Sequence, residues 1–571
     1  MKSKAESSRW IRGALRGGLL AAGYFACDAI GAYAALPELL DPTLDTLLLV
    51  ALGAAHAIGW GILIGTLAAG LTYPRYLRAL WRPRFAMVAA LLLIGLGYGF
   101  RVERVLLDAG DEGRRSDAPP VLFVLVDTLR ADTLYGGGLE FPLTPAFAEQ
   151  ARDAHVFLDA EATAGWTIPS LGALLSGIHN LSFDGSAGRV PKDIKLLPEH
   201  LHAAGYASHA VVDNNIVEVR VGFGGGFESY FQRSGYRFAF SLPAFRALPT
   251  RFREKLREHL YTSYYGSPGV TDVARERLRA HYKTQSRRPL FLYAHYMDPH
   301  APYHLHKNLK PDPPEAEPID YYEFRDILRA DRSLKPTEGQ LARLVHRYEN
   351  ELRFMDVDLA SLIQEFREVT EDEGLVVLTS DHGEEFLDHG RLGHGSTVYR
   401  EMVNVPLMIW WPKSRRSELQ LERIDNRPLT LLDLTPTLLD VLEVEPLPSS
   451  LPIEGDSFLS GLRDPALPLR TKPMIASHSR NGRRTYRLRD QDTVVLMTHY
   501  YDDRASEYEV YSLDDDPLEK TNLALNDVAL KNELIARLTK EIRRLEKAED
   551  ATADEEIEAN EEALRALGYI E

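Results

Sequence analysis

The chain holds a single cysteine, Cys27, in 571 residues. One thiol excludes any disulfide within one chain, so cysteine usage leaves the redox compartment open. Positive charge is also scarce beyond the first hundred residues. The whole chain carries 66 Lys and Arg against 83 Asp and Glu; residues 1–105 hold eleven and six of these, a net of +5, which leaves −22 for the remainder. So acidic a remainder excludes nucleic acid as a partner, because a phosphate backbone is gripped by a clustered basic face. The length exceeds what one compact core accommodates, and an anchor plus a large further unit is the division to expect.

Apolar sequence, by contrast, is abundant at the start, in stretches at about 14–36, 44–71 and 85–100. The second is easily long enough to cross roughly 30 Å of hydrocarbon, and the third is just long enough. A cleavable signal explains only one such stretch, so a retained anchor of three transmembrane helices over residues 1–105 is expected. Lys2, Lys4, Arg9 and Arg12 precede the first stretch, and Arg75, Arg78, Arg82 and Arg84 lie between the second and third. The first loop instead carries Glu38, Asp41 and Asp45. Basic flanks stay inside, which puts the amino terminus in the cytoplasm and everything after about residue 105 outside it, periplasmic or extracellular. Asp28 and His56 fall within these spans, where an ionisable group is either functional or a polar contact between helices.

Residues 106–118 read as a polar linker. From 119 to about 465, apolar runs alternate with helical stretches: VLFVLVD, ALLSG after Trp166-Thr167, ASHAVVD at 207–213, PLFLYAHYMD at 289–298, GLVVLTSDHG at 374–383 and PLMIWW at 406–411. That alternation predicts a three-layer α/β domain with a mostly parallel sheet. Chemistry in such sheets gathers at the carboxyl ends of strands, where Asp127, Asp298, Asp381 and His382 all fall. Residues 466–571 change character: hairpin-like segments precede an amphipathic helix marked by Leu530, Leu534, Leu538, Ile542 and Leu545. A smaller α+β subdomain follows from this pattern, and 546–563 is acidic enough to be a solvated helix or tail.

An Asp closing a buried strand, as Asp127 does, is either a structural cap or a metal ligand. Asp381 and His382 are adjacent and also follow an apolar strand, offering a hard oxygen beside an imidazole, a pairing that suits zinc, manganese or magnesium. Pro169 suits a first helical turn and predicts a helix through Ala173–Leu175, with the Thr167 hydroxyl at its amino terminus, where the dipole favours an anion. A hydroxyl beside a divalent cation sheds its proton and becomes a nucleophile; an ordinary Thr cap is the bland alternative. His295, His300, His304 and His306 crowd one strand end and its loop, and His389 and His394 follow Asp381. A departing alkoxide needs a proton donor and an oxyanion needs stabilising, and His300 and His394 are the choices for these tasks.

Together these blocks resemble the sulfatase family of the alkaline-phosphatase superfamily. The likeness runs from about Val121 to Glu571 through VLFVLVDTLRADTLYGG, ATAGWTIPSLGALLSG, GYASHAVVDNN, GFGGGFESY, FLYAHYMDPHAPY, LTSDHGEEFLDHGRLGHGSTVYREMVNVPLMIWWP, DLTPTLLDVL, EYEVYSLDDDPLEKTNL and LRALGYIE, in the expected order. The resemblance implies one divalent metal ion (zinc, manganese, magnesium or calcium) held by Asp127, Asp381 and His382 with Thr167 alongside. It implies Thr167 as nucleophile, His300 at the leaving group, His394 on the anion and Asn214 as a further polar contact. Its departures are informative. The family's Cys or Ser, converted to formylglycine, is replaced by Thr167, its following Arg by Leu171, and a second Asp after Asp127 by Thr128. No formylglycine is therefore expected. The expected activity is hydrolysis of a sulfate or phosphate ester. The alternatives are transfer of a phospho-headgroup to a cell-envelope lipid or glycan, as in phosphoethanolamine and phosphoglycerol transferases, or a non-catalytic envelope protein that keeps the fold.

Overall fold

A computed structural model of the chain describes residues 101–105 and 118–546, apart from positions 137, 184–187, 234–265, 285, 305, 307–308, 320, 322–323, 326–334, 420–421, 481, 502–503 and 525–527. The chain divides into two units, Met1–Gly99 and Phe100–Glu571. The three apolar stretches, Asp28, His56 and the acidic tail after residue 546 lie outside the described residues. Among the described residues no helix is long and apolar enough to cross a membrane.

The second unit is built on one large sheet. Its strands are β1 (Arg101–Val105), β2 (Val121–Val126), β3 (His155–Glu161), β4 (Ala207–Val212), β5 (Ser229–Arg233), β6 (Leu290–Tyr296) and β7 (Leu375–Thr379). After a small hairpin of β8 (Glu385–Phe386) and β9 (Leu392–Gly393) come β10 (Asn404–Trp410), β11 (Ile424–Asp425) and β12 (Leu429–Thr430). The spatial order is β1-β5-β4-β6-β2-β7-β10-β3-β11, with β12 also on β3. The run β5-β4-β6-β2-β7 is parallel throughout, while β1 and β10 run against their neighbours. The sheet is therefore mixed, with a parallel centre.

Every residue of β2, β6 and β7 is buried, as expected for strands covered on both faces. Alternate side chains serve opposite cores: Val121, Phe123 and Leu125 enter one apolar cluster, Leu122, Val124 and Val126 the other. Each such Val, Leu or Phe contributes about 1.5–3 kcal/mol on burial, so a charge at Val124 would break the domain. Helix α1 (Thr167–Ser176) covers the first face. The second face carries α2 (Ser267–Lys283) and α3 (Glu338–Val369), which pack on each other and bury Val270, Leu278, Leu352 and Ile363. These are the three expected layers.

ALLSG, grouped above with the strand-like runs, is instead the second half of α1, as Pro169 foretells. All ten residues of α1 are buried, and a helix apolar all round reads like a strand over five residues. Gly177 ends it in the left-handed region at φ 68°.

Four antiparallel strands, β13 (Met474–Arg480), β14 (Arg483–Asp490), β15 (Thr493–Tyr500) and β16 (Glu507–Ser512), form the second sheet. Helix α4 (Val528–Glu546) lays Leu534, Leu538, Ile542 and Leu545 over Leu488, Val495 and Val510 of these strands. This sheet docks beside the approach to α1: the Ser477 N–H donates to the Thr163 carbonyl at 2.9 Å.

Candidate active site

The parallel centre of the sheet brings the carboxyl ends of β2 and β7 side by side, so Asp127 and Asp381 meet although far apart in sequence. The Thr128 N–H reaches Asp381 Oδ1 at 3.3 Å, which requires Thr128 to sit at φ 57°, a costly place for a residue with a branched Cβ. Asp381 Oδ1 also accepts from the His382 N–H at 3.0 Å. Gly383 permits the loop to pass the next turn, since a Cβ there would lie 1.9 Å from the Glu401 carbonyl oxygen. Behind the loop, the Ser170 hydroxyl of α1 donates to the Asp381 carbonyl at 2.6 Å and ties the helix start to it.

The result is a compact ligand set. One atom each of Asp127, Asp381 and His382 lie within 4.8 Å of one another, and all three residues are fully buried. Asp127 Oδ2 is occupied, accepting from Asn214 Nδ2 at 2.7 Å and facing His295 Nε2 at 3.2 Å. Asp127 Oδ1 and Asp381 Oδ2 are buried with no hydrogen-bond partner. His382 Nδ1 faces the Gly383 carbonyl at 2.9 Å, which places the ring proton there and turns Nε2 toward the carboxylates. Two orphaned carboxylate oxygens and an imidazole nitrogen are a donor set that fits one divalent cation. The electrostatics agree. Burial pushes the Asp381 carboxyl up and the neighbouring Asp127 charge adds to it. Burial acts on Asp127 in the same sense, but the His295 hydrogen bond and the nearby His300 and His382 outweigh it and hold that carboxyl well below the usual range. His382 is raised: burial opposes its charge, and Asp381 and Asp127 overcome that.

Thr167 is the first residue of α1, as the sequence predicts, and its Oγ1 lies 3.4 Å from His382 Nε2. Gly165 lets this segment approach, because a Cβ would stand 2.5 Å from the Thr397 carbonyl oxygen. His394 and His300 join the cluster through their rings: His394 is 4.8 Å from the His382 ring and His300 is 4.6 Å from His394, centre to centre. His394 Nδ1 is 3.0 Å from Glu384 Oε1, and burial pushes Glu384 up to about 7 although His300 and His382 draw it down.

The other histidines and Asp298 are engaged elsewhere. Glu351 of α3 accepts from the His304 N–H and lies 2.7 Å from His306 Nε2, while His306 stacks on Phe354. His389 is held by Glu401 and by the Glu519 carbonyl, both at 2.8 Å. Asp298, expected among the strand-end groups, turns to α2 and accepts from the Ser267 N–H at 3.1 Å. The sequence points to His300 and His394 rather than to His295, yet His295 touches Asp127. Its position on β6 follows the parity of Phe291 and Tyr293, which face the α1 side of the sheet. That alternation was a usable signal. Glu384 had none beyond its place beside His382.

These features have counterparts in known proteins. Residues 119–444 match the sulfatase family model. The chain is 28% identical over 198 residues to the multifunctional alkaline phosphatase superfamily protein PehA of Trinickia caryophylli, covering 29% of this chain and 37% of that protein. It is 27% identical over 107 residues to the uncharacterized sulfatase YidJ of Escherichia coli (strain K12), covering 19% of this chain and 20% of that protein. The chain thus spans about a fifth and somewhat over a third of the length of these curated relatives. The crystal structure of phosphonate monoester hydrolase of Agrobacterium radiobacter has the same fold, with a TM-score of 0.56 over 75% of this chain and 96% of that one, at 16% identity.

Proposed function

This chain belongs to the sulfatase family, and from that membership we propose that it hydrolyses a sulfate or phosphate ester, with Thr167 as nucleophile and Asp127, Asp381 and His382 holding one divalent cation. The observation that carries the proposal is the meeting of the Thr167 hydroxyl with His382 Nε2 at 3.4 Å, that nitrogen lying 3.3 Å from Asp381 Oδ2 and 4.0 Å from Asp127 Oδ1, two buried carboxylate oxygens that accept no hydrogen bond. When bound, a divalent cation supplies Lewis acidity, lowering the pKa of a neighbouring hydroxyl and drawing charge from the ester oxygens. The mixed oxygen and nitrogen donors favour zinc, manganese or magnesium over calcium.

The chain's own groups divide the remaining work. Thr167 Oγ1 attacks phosphorus or sulfur from the amino terminus of α1, its proton passing to solvent. The bond to the leaving oxygen breaks as the new one forms, and His300 protonates the departing alkoxide. His394, steadied by Glu384, offers an N–H to a non-bridging oxygen. The threonyl carbon bears a methyl group and no second oxygen, so release proceeds by another displacement at phosphorus or sulfur, with water as acceptor.

A second reading replaces water with an alcohol and makes the protein a phospho-headgroup transferase acting on an envelope lipid or glycan. What favours it is the apolar sequence before residue 100, whose basic flanks support an anchored chain with this domain outside the cytoplasm. The full-length chain in detergent separates the readings. We expect bound metal together with turnover of 4-nitrophenyl sulfate, 4-nitrophenyl phosphate or bis(4-nitrophenyl) phosphate, and Thr167→Ala should keep the metal and lose the turnover. Undiminished turnover in that variant removes Thr167 as nucleophile. A transferase would release diacylglycerol from a phospholipid only when an acceptor is supplied. A purified chain that takes up no metal returns the protein to a non-catalytic role in the envelope.

A further inference from the structure

His394 lies in the loop between β7 and β10, just after the small hairpin of β8 and β9. Glu385 opens that hairpin, pairs with Gly393 immediately before His394, and is fully buried. Its carboxylate turns into the loop. Oε1 accepts from the backbone N–H of His389 at 2.9 Å and of Arg391 at 2.7 Å, and Oε2 accepts from the Thr397 hydroxyl at 3.1 Å. His389 and Arg391 precede His394 and Thr397 follows it, so one carboxylate gathers both arms of the loop around the histidine. An outer fastening supports this: His389 stacks on Tyr399 and bonds to Glu401 and to the Glu519 carbonyl. Glu384, its neighbour in sequence, points the other way and meets the His394 ring itself. Two adjacent glutamates thus serve one histidine, Glu384 at its ring and Glu385 through the loop residues on either side of it.

We propose that Glu385 is the positioning residue for His394, fixing the height and tilt of that imidazole over the site through the loop rather than by touching substrate. The proposal rests on the reading of His394 as the oxyanion partner. A displacement of about 1 Å in such a group costs about 100-fold in rate, which is the scale at stake.

The test uses the metal-loaded chain and the variants Glu385→Ala, Glu385→Gln, His394→Ala and the double Glu385→Ala/His394→Ala, with Thr397→Val alone and on His394→Ala beside them. Turnover of bis(4-nitrophenyl) phosphate and calorimetric binding of inorganic phosphate are the readouts, with metal content and thermal midpoint recording folding. Glu385→Ala should lower kcat about 10- to 100-fold, with KM changed by less than about threefold. Glu385→Gln, whose amide oxygen still accepts both N–H groups, should remain within about fivefold of the parent. In the His394→Ala background Glu385→Ala should cost nothing more, because both changes remove the same contribution. Thr397→Val removes only the Oε2 bond and should give a smaller loss that likewise vanishes in that background; it serves if Glu385→Ala does not fold. Losses that multiply in the double variant, or a folded Glu385→Ala chain with parental kcat and phosphate affinity, overturn the positioning role. If His394→Ala alone leaves both readouts intact, it is the assignment of His394 that falls.

Discussion

Two clusters of buried charge sit on the main sheet, and they are treated in opposite ways. Where β3 meets the second sheet, Arg487 and Arg489 of β14 pair with Glu161, Asp159 and Glu519, and Arg487, Glu161 and Glu519 are all at most 2% exposed. Every carboxylate there faces a guanidinium, so burial pushes Glu161 up but the two arginines hold it down at about 2. At the ends of β2 and β7, two carboxylates face each other, and two of their four oxygens accept no hydrogen bond, with the His382 imidazole beside them. The first cluster completes its own electrostatics and joins the two sheets. The second is left open by the chain's own hydrogen bonds, with histidines as its only positive partners among the described residues, which is the arrangement the proposed cation site calls for.

The largest expected effect breaks the second cluster chemically: Thr167→Ala should lower turnover by roughly 10³-fold or more while metal analysis finds the cation still bound. Next, Glu161→Gln leaves the buried arginines underpaired and should cost about 3–5 kcal/mol in denaturant unfolding. Saturating the proposed metal site with a divalent cation at about 100 times Kd should add about 2.7 kcal/mol, and a chelator should remove that amount. Asp381→Asn sharpens the contrast. In the metal-free chain it removes one of two facing like charges, so stability should hold or rise by about 1 kcal/mol even as metal binding is lost. A metal-free chain destabilised as strongly by Asp381→Asn as by Glu161→Gln would erase the distinction between the clusters. The smallest effect is in pH. The folded pKa of Glu161 lies below its ordinary 4.5, so its stabilisation is full above that value and is lost as pH falls toward about 2. Acid unfolding followed by circular dichroism should show this loss in the parent and not in Glu161→Gln.

Much of the scaffold was legible because buried parallel strands are continuous apolar runs, and VLFVLVD and GLVVLTSD announce both the strand and the carboxylate closing it. The sulfatase resemblance, read from ordered blocks, agrees with the family match over residues 119–444. Thr167 at a helix start followed from Pro169. Less legible were contacts set by neighbouring strands. His295 reaches Asp127 because β6 lies directly beside β2 with Leu125 opposite His295, a register that no local pattern encodes. The same holds for Asn214, carried in from the end of β4, and for the buried arginines of β14, which in sequence read only as part of a hairpin-like segment.

The sequence by itself determined the chemical types available and their places at strand and helix ends, since apolar periodicity and terminal residues are local properties. Only the tertiary structure decided which of those ends converge. Thr128 and Asp381, 253 residues apart, touch because the strand order sets β2 between β6 and β7. The same packing turns His382 Nε2 inward and Glu385 back into its loop. Such choices depend on register and on which partner each buried polar atom finds, quantities that exist only once the sheets have closed.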